Sequence, residues 1–158
     1  MKATIKTLPS YRVAYMRNVG PYGAEGGIPS LWNRLSTWAG ERGLWTADRI
    51  CLGISHDNPR VTAPDQCRYD AAIAVSREFR ADEEVEIADS AGGTVGSLDF
   101  EGSADEIGAA WDRVFSEWLP QSAYQPDDRP CIELYRGDSV DTTTGIFKCE
   151  LCVPVRPR

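Results

Sequence analysis

An acid, Glu133, stands at the centre of Cys-Ile-Glu-Leu-Tyr, residues 131–135, in a run that otherwise reads as a β-strand. Side chains of a strand alternate between its faces, so Cys131, Glu133 and Tyr135 share one face and Ile132 and Leu134 the other. Two arrangements satisfy that pattern. In one, the Ile-Leu face is core and Glu133 is hydrated, the common fate of a charged residue. In the other, both faces are covered and Glu133 lines a cavity. A carboxylate among aromatic rings recognises a lipophilic cation, by charge and by cation–π attraction of about 0.5–2 kcal/mol per good contact. Burial also raises a carboxylate's pKa, which equips it for acid–base chemistry.

The rings available for such a cavity are Tyr22, Trp32, Tyr69, Trp111, Phe115, Trp118, Tyr135 and Phe147. Core packing explains each one equally well. Tyr22 follows a Gly-Pro turn between a strand and a helix, where a side chain can reach over a cleft mouth. Tyr69 shares a strand face with Ala71 and Ile73. His56 is the only histidine; it reads as a solvated loop residue or as a ligand contact at a cleft rim. No Gly-x-Ser-x-Gly elbow accompanies it. Asp57 begins an Asp-Asn-Pro turn and is expected to bond local backbone. Arg68 and Asp70 share a strand face and are expected to pair across or along the surface.

Other chemistry is poorly supported. Gly92–Gly96 fits a strand turn and not a phosphate cradle, so no nucleotide cofactor is expected. The five cysteines are Cys51, Cys67, Cys131, Cys149 and Cys152. Cys149 and Cys152 have CxxC spacing, but on a strand residues i and i+3 point to opposite faces, and no second CxxC completes a zinc site. No metal is expected, and the thiols read as buried and reduced.

The chain of 158 residues is long enough for one domain with a sizeable core, expected to span 1–158. Seventeen Lys and Arg against 24 Asp and Glu give a net charge of −7, which weighs against direct nucleic-acid binding. There is no apolar run of membrane-spanning length and no secretion signal at the N-terminus. A cytoplasmic location follows as an expectation.

Two helices must position the candidate rings. One begins at Ile28-Pro29-Ser30, carries Leu31, Trp32, Leu35, Trp38 and Ala39 at helical spacing, and stops near Gly43. The other opens at Ser103 with Glu106 placed to reach back, and its stripe is Ile107, Ala110, Trp111, Val114, Phe115 and Trp118. Strand-like runs occupy 3–8, 11–19, 49–55, 68–76, 84–90, 93–102, 130–137 and 146–155, with a hairpin connection expected at 137–145. The order is strand, strand, helix, strand, strand, then the same again, with a charged joint at 76–84. Trp32–Trp38 (WNRLSTW) also answers Trp111–Trp118 (WDRVFSEW), with one extra residue in the second copy. The fold class is α+β, and the halves, about 1–76 and 84–158, read as an internal duplication.

Five stretches carry a family resemblance: Asn-Val-Gly-Pro-Tyr-Gly (18–23), Ile-Ser-His-Asp-Asn-Pro (54–59), Cys67–Val75, Ser-Ala-Tyr (122–124) after the Trp-bearing helix, and Pro-Cys-Ile-Glu-Leu-Tyr (130–135). Together they resemble the GyrI-like small-molecule-binding domains. These occur as free-standing gyrase-inhibitor-like proteins and as effector-binding domains of AraC- and MerR-type regulators. The resemblance implies two strand-helix-strand-strand halves about a pseudo-twofold axis, with Glu133 deep in a cleft between them and Trp111 on its wall. In the multidrug-sensing relatives that acid pairs with cationic ligands while aromatics stack on them. His56 stands where free-standing relatives can carry a tyrosine. With no helix-turn-helix segment, the expected function is sequestration or sensing of lipophilic, often cationic, aromatic compounds by a monomer or weak homodimer. Two alternatives remain: hydrolysis of cyclopropane-bearing alkylating compounds with Glu133 as the catalytic group, and an inhibitory interaction with DNA gyrase.

Overall fold

A computed structural model describes residues 2–22, 27–137, 139–140 and 143–158. Its strands are β1 (Thr4–Leu8), β2 (Arg12–Val19), β3 (Ile50–Ser55), β4 (Arg68–Ala74), β5 (Glu86–Asp89), β6 (Gly93–Gly102), β7 (Tyr124–Pro126), β8 (Cys131–Arg136) and β9 (Phe147–Pro157). The helices are α1 (Ile28–Glu41) and α2 (Ile107–Arg113), the latter continuing through a π turn (Val114–Trp118) into a last helical turn, α3 (Leu119–Gln121). The expected α+β class holds, with every strand pair antiparallel. β7 is a strand that the sequence pattern does not announce: three residues, one a proline, inside a turn-rich segment. Gly23 of the 18–23 stretch and residues 138, 141 and 142 of the expected 137–145 hairpin lie outside the described residues.

The strands are ordered β1-β6-β9-β8-β3-β4-β2-β5, with β7 beside β9. β8 and β3 form the central pair, and Glu133 lies directly opposite Gly53. The helices cover one face. Leu31, Leu35, Trp38 and Ala39 of α1 pack on Ala14, Met16, Tyr69, Ala71 and Ile73. Val114 and Leu119 pack on Leu98, Leu151, Val153 and Val155. The other face carries a separate core that includes Val13, Leu52, Ile54, Ile132 and Leu134, and no helix contributes to it.

Local chemistry fixes the ends of the helices. Pro29 occupies the first turn of α1, where its missing N–H costs nothing. At the other end Gly43 takes φ 69°, while the N–H groups of Gly43 and Leu44 donate to the carbonyls of Gly40 and Ala39. That is the Schellman arrangement, and its left-handed position favours glycine. Before α2, the Glu106 carboxylate accepts the Ser103 N–H at 2.9 Å, the expected return bond of a capping box. The joint at 76–84 is pinned to α1: the Asp82 carboxylate accepts from Trp38 Nε1 at 2.9 Å and Arg42 Nη2 at 3.1 Å. Among the described residues no helix is long and apolar enough to cross a membrane.

Candidate functional site

Glu133 is 7 % exposed and sits on the helix-covered face. Its Oε1 accepts the hydroxyls of Tyr69 and Tyr135, each at 2.9 Å, and its Oε2 accepts Trp111 Nε1 at 3.2 Å. All three donors are neutral aromatic side chains, and among the described residues no Lys or Arg forms an ion pair with it. Burial raises its pKa, opposed in part by the hydrogen bonds from Trp111, Tyr69 and Tyr135. Burial also drives the Tyr69 and Tyr135 hydroxyls well above the ordinary tyrosine value, with the nearby acid adding to the effect. Both therefore remain donors at neutral pH.

Each donor arrives from a different element. Tyr135 is two residues along β8, on the same face. Trp111 comes from α2. Tyr69 comes from β4, two strands away, and must cross β3 to reach the acid. It crosses at Gly53: a Cβ there would lie 2.1 Å from the Tyr69 hydroxyl and 2.6 Å from Glu133 Oε1. The Tyr69 hydroxyl in turn accepts Trp32 Nε1 at 3.1 Å, so α1 is tied to the same acid. Sequence reasoning missed Gly53; the available signal was a lone glycine inside an otherwise apolar strand, which marks a close approach.

Further rings extend the wall. Trp32 meets Tyr135 edge-on at 5.5 Å, Tyr135 meets Phe147 at 5.9 Å, and Tyr22 meets Tyr69 edge-on at 6.2 Å. The Tyr22 hydroxyl donates to the Arg68 carbonyl and accepts the Asp57 N–H, which binds the start of the β3–β4 connection to the Tyr22 turn. Trp111, Tyr135, Tyr22, Tyr69 and Phe147 thus gather around Glu133, directly or through one ring.

His56 does not join them. Its Nε2 is 2.6 Å from Asp70 Oδ2. Asp70 follows Tyr69 on β4 and so faces the other side of the sheet. Of the two expected arrangements for Arg68 and Asp70, pairing across the surface is the one formed. Asp70 is held by Arg17, at 2.7 and 3.0 Å, while Arg68 pairs with Asp57 at 3.0 Å through both Nε and Nη2. Asp57 also takes the Arg68 N–H, a partner eleven residues away and not the local turn backbone. Longer-range charge pairing outcompetes the turn because β3 and β4 bring the two ends of this connection side by side. The thiols of Cys149 and Cys152 belong to cores on opposite faces, as strand alternation requires.

Comparison with known proteins places this geometry in context. The model of a family described as GyrI-like small molecule binding domain matches residues 1–156. The DNA gyrase inhibitor of Edwardsiella ictaluri (strain 93-146) is 31 % identical over 163 aligned residues, covering 99 % of each chain. The crystal structure of the EcmrR C-terminal domain has a similar fold, with a TM-score of 0.74 at 16 % identity over 99 % of this chain and 98 % of that one. The structure of SAV2435 bound to tetraphenylphosphonium matches with a TM-score of 0.65 at 18 % identity over 99 % of this chain and 94 % of that one.

Proposed function

The chain belongs to the GyrI-like family of small-molecule-binding domains, and from that premise we propose that it binds lipophilic, cationic aromatic compounds, with Glu133 as the counter-charge. One observation carries this reading: a buried carboxyl whose hydrogen-bond partners are three neutral aromatic groups. A buried acid kept for stability alone is normally paired with a basic side chain. Here the charge of the ionised form is left for a ligand to neutralise. The tetraphenylphosphonium bound to the structural neighbour SAV2435 is a cation of this class.

The proposed sequence of events follows from the contacts. A cation arriving between α1 and α2 displaces Trp111, which is half-buried and attached by a single hydrogen bond to Oε2. Tyr69 and Tyr135 keep Oε1 in place and hold the carboxylate aimed at the incoming charge. The faces of Trp32, Trp111 and Tyr135 then supply cation–π contacts in a site with little water, where each is stronger than at the surface. Expulsion of water from apolar ring surface supplies the non-specific part of the affinity.

Intrinsic fluorescence tests this directly, since Trp32 and Trp111 both adjoin the acid. Titration with tetraphenylphosphonium should quench saturably, and triphenylphosphine oxide, neutral but similarly aromatic, should bind at least about tenfold more weakly. Equal affinity for the two compounds would refute the counter-charge. Recovery of the compounds unchanged after prolonged incubation is the outcome expected of a binding protein.

A further inference from the structure

The three donors on Glu133 are shared unevenly between its two oxygens. Oε1 accepts two hydroxyls, from Tyr69 and Tyr135, each at 2.9 Å. Oε2 accepts one N–H, from Trp111, at the longer distance of 3.2 Å. An ionised carboxylate offers about two acceptor positions on each oxygen, so Oε1 is filled and Oε2 is half used. The thiols that share this face, Cys131 and Cys149, are weak donors, and among the described residues neither forms a hydrogen bond to the acid.

The supports of the donors differ as well. Tyr69 and Tyr135 stand on the paired strands β4 and β8, and the Tyr69 hydroxyl is held from behind by Trp32 Nε1 at 3.1 Å. Trp111 stands on α2, a helix of seven residues of which none is buried. By contrast α1 buries Leu31, Leu35, Trp38 and Ala39. Oε2 is therefore the oxygen that opens to a ligand, and Oε1 the one that the fold keeps. When Trp111 gives way, Oε2 loses its donor in surroundings with little water, and an unmet acceptor there is costly.

We propose, resting on the counter-charge reading of Glu133, that the site selects aromatic cations whose charged nitrogen carries a hydrogen, namely protonated amines, over quaternary ions of the same body. The ammonium N–H donates to Oε2 in place of the Trp111 indole, while Tyr69 and Tyr135 stay on Oε1. A bond between two charged partners is stronger than the indole bond that it replaces. A phosphonium or quaternary ammonium ion brings the charge but leaves Oε2 without a donor. An aromatic cage with no acceptor inside it has the opposite preference: it favours the methylated, weakly hydrated head, which also buries one more methyl group. The sign of the selectivity thus separates the two kinds of site.

The test is calorimetric titration of the full chain, near neutral pH, with three compounds built on one naphthalene body. They are N,N-dimethyl-α-naphthylmethylamine, which is protonated at that pH, trimethyl(α-naphthylmethyl)ammonium, and the uncharged α-naphthylmethyl methyl ether. In wild type the protonated amine should bind about tenfold more tightly than the quaternary ion, and the quaternary ion more tightly than the ether. Glu133→Gln is close to isosteric; its carbonyl oxygen stays with the tyrosine hydroxyls and its NH2 group takes the place of Oε2. The preference between the two cations should then shrink to less than about twofold. Equal affinity for the two cations in wild type, or a tighter quaternary ion, with both still ahead of the ether, would overturn the proposal and leave the counter-charge standing. Equal affinity for all three compounds would overturn the counter-charge itself. A tenfold preference that persists in Glu133→Gln would place the acceptor elsewhere and overturn the proposal as well.

Discussion

At Glu133 two effects oppose each other on one carboxyl group. Burial favours the neutral acid, while the donors Trp111, Tyr69 and Tyr135 favour the anion, and burial wins in the free protein. A bound cation reverses that balance, so ligand affinity and protonation are linked. The sign follows. Below the raised pKa, binding must expel a proton, and affinity falls by up to about tenfold per pH unit; above it, affinity is flat. Tetraphenylphosphonium dissociation constants measured from pH 4 to 8 should fall and then level off in wild type, and show no such fall in Glu133→Gln. The folded state also binds this proton more tightly than the unfolded chain. Glu133 thus contributes stability below its unfolded pKa that is lost as pH rises through the folded one. Gly53 is a sharper steric matter. Gly53→Ala forces either Tyr69 or Glu133 to move, because the new methyl would overlap both. Overpacking of this kind costs about 1–3 kcal/mol, measurable as a lower denaturant midpoint, and it should weaken cation binding as well. Glu133 could be singled out from its strand pattern, but its donors could not be assigned, because Tyr69 lies 64 residues away and reaches it only through strand order and a glycine gap.

Among the elements, the two Trp-bearing helices differ by one residue, and the structure shows where it goes. Trp32–Trp38 lies wholly within α1, whereas Trp111–Trp118 contains the π turn Val114–Trp118. A π turn takes up an extra residue without breaking the helix and is frequent at functional sites. It lets Trp111 and Trp118 both face the sheet, Trp111 on Glu133 and Trp118 over Gly96. Both helices and eight strands were readable from periodicity, caps and turn residues. β7 was not, since its pairing with β9 depends on where the end of β9 runs and not on any pattern in Tyr-Gln-Pro. The C-terminal stop of α1 gives a prediction separate from the site. Gly43→Ala places a side chain in the left-handed region and should cost about 1–2 kcal/mol, seen in chemical denaturation, with tetraphenylphosphonium affinity unchanged.

Over the whole molecule the strand order is symmetric about the β8–β3 pair: β1-β6-β9-β8 on one side and β5-β2-β4-β3 on the other. We infer from this order, and from the paired Trp helices, that the two halves are copies of one unit whose first strands, β1 and β5, have each crossed to the opposite half. Gly53 and Glu133 then occupy equivalent positions beside the axis, Cys-Leu-Gly-Ile-Ser (51–55) matching Cys-Ile-Glu-Leu-Tyr (131–135). One copy supplies the acid and the other the space beside it. The same match sets Asp70 against Glu150, and both face the helix-free side: Asp70 binds Arg17 and His56, and Glu150 binds Lys6 and Ser97. Hydrogen bonds and basic partners hold both acids below their ordinary pKa despite opposing burial; hydrogen bonds from Arg68 and Trp38 do the same for Asp57 and Asp82, and local backbone bonds for Glu106 and Asp127. Such groups stabilise the fold above their unfolded pKa values, about 4, and that stability is lost as pH falls through the folded values. Guanidinium midpoints should therefore fall steadily between pH 5 and pH 3, and constancy across that window would contradict the assignment. The repeated order of elements was visible in the sequence, whereas the separation of His56 from Glu133 was not, because it depends on which face each strand residue takes.

The counter-charge role of Glu133 is tested most directly by a double comparison, using calorimetric titration of wild type and Glu133→Gln with tetraphenylphosphonium and with triphenylphosphine oxide at one pH above neutrality. The account predicts that the substitution weakens the cation by about tenfold or more and the neutral compound by less than about twofold. Equal losses for both compounds, or none for either, would mean that Glu133 shapes the core without contributing charge to recognition.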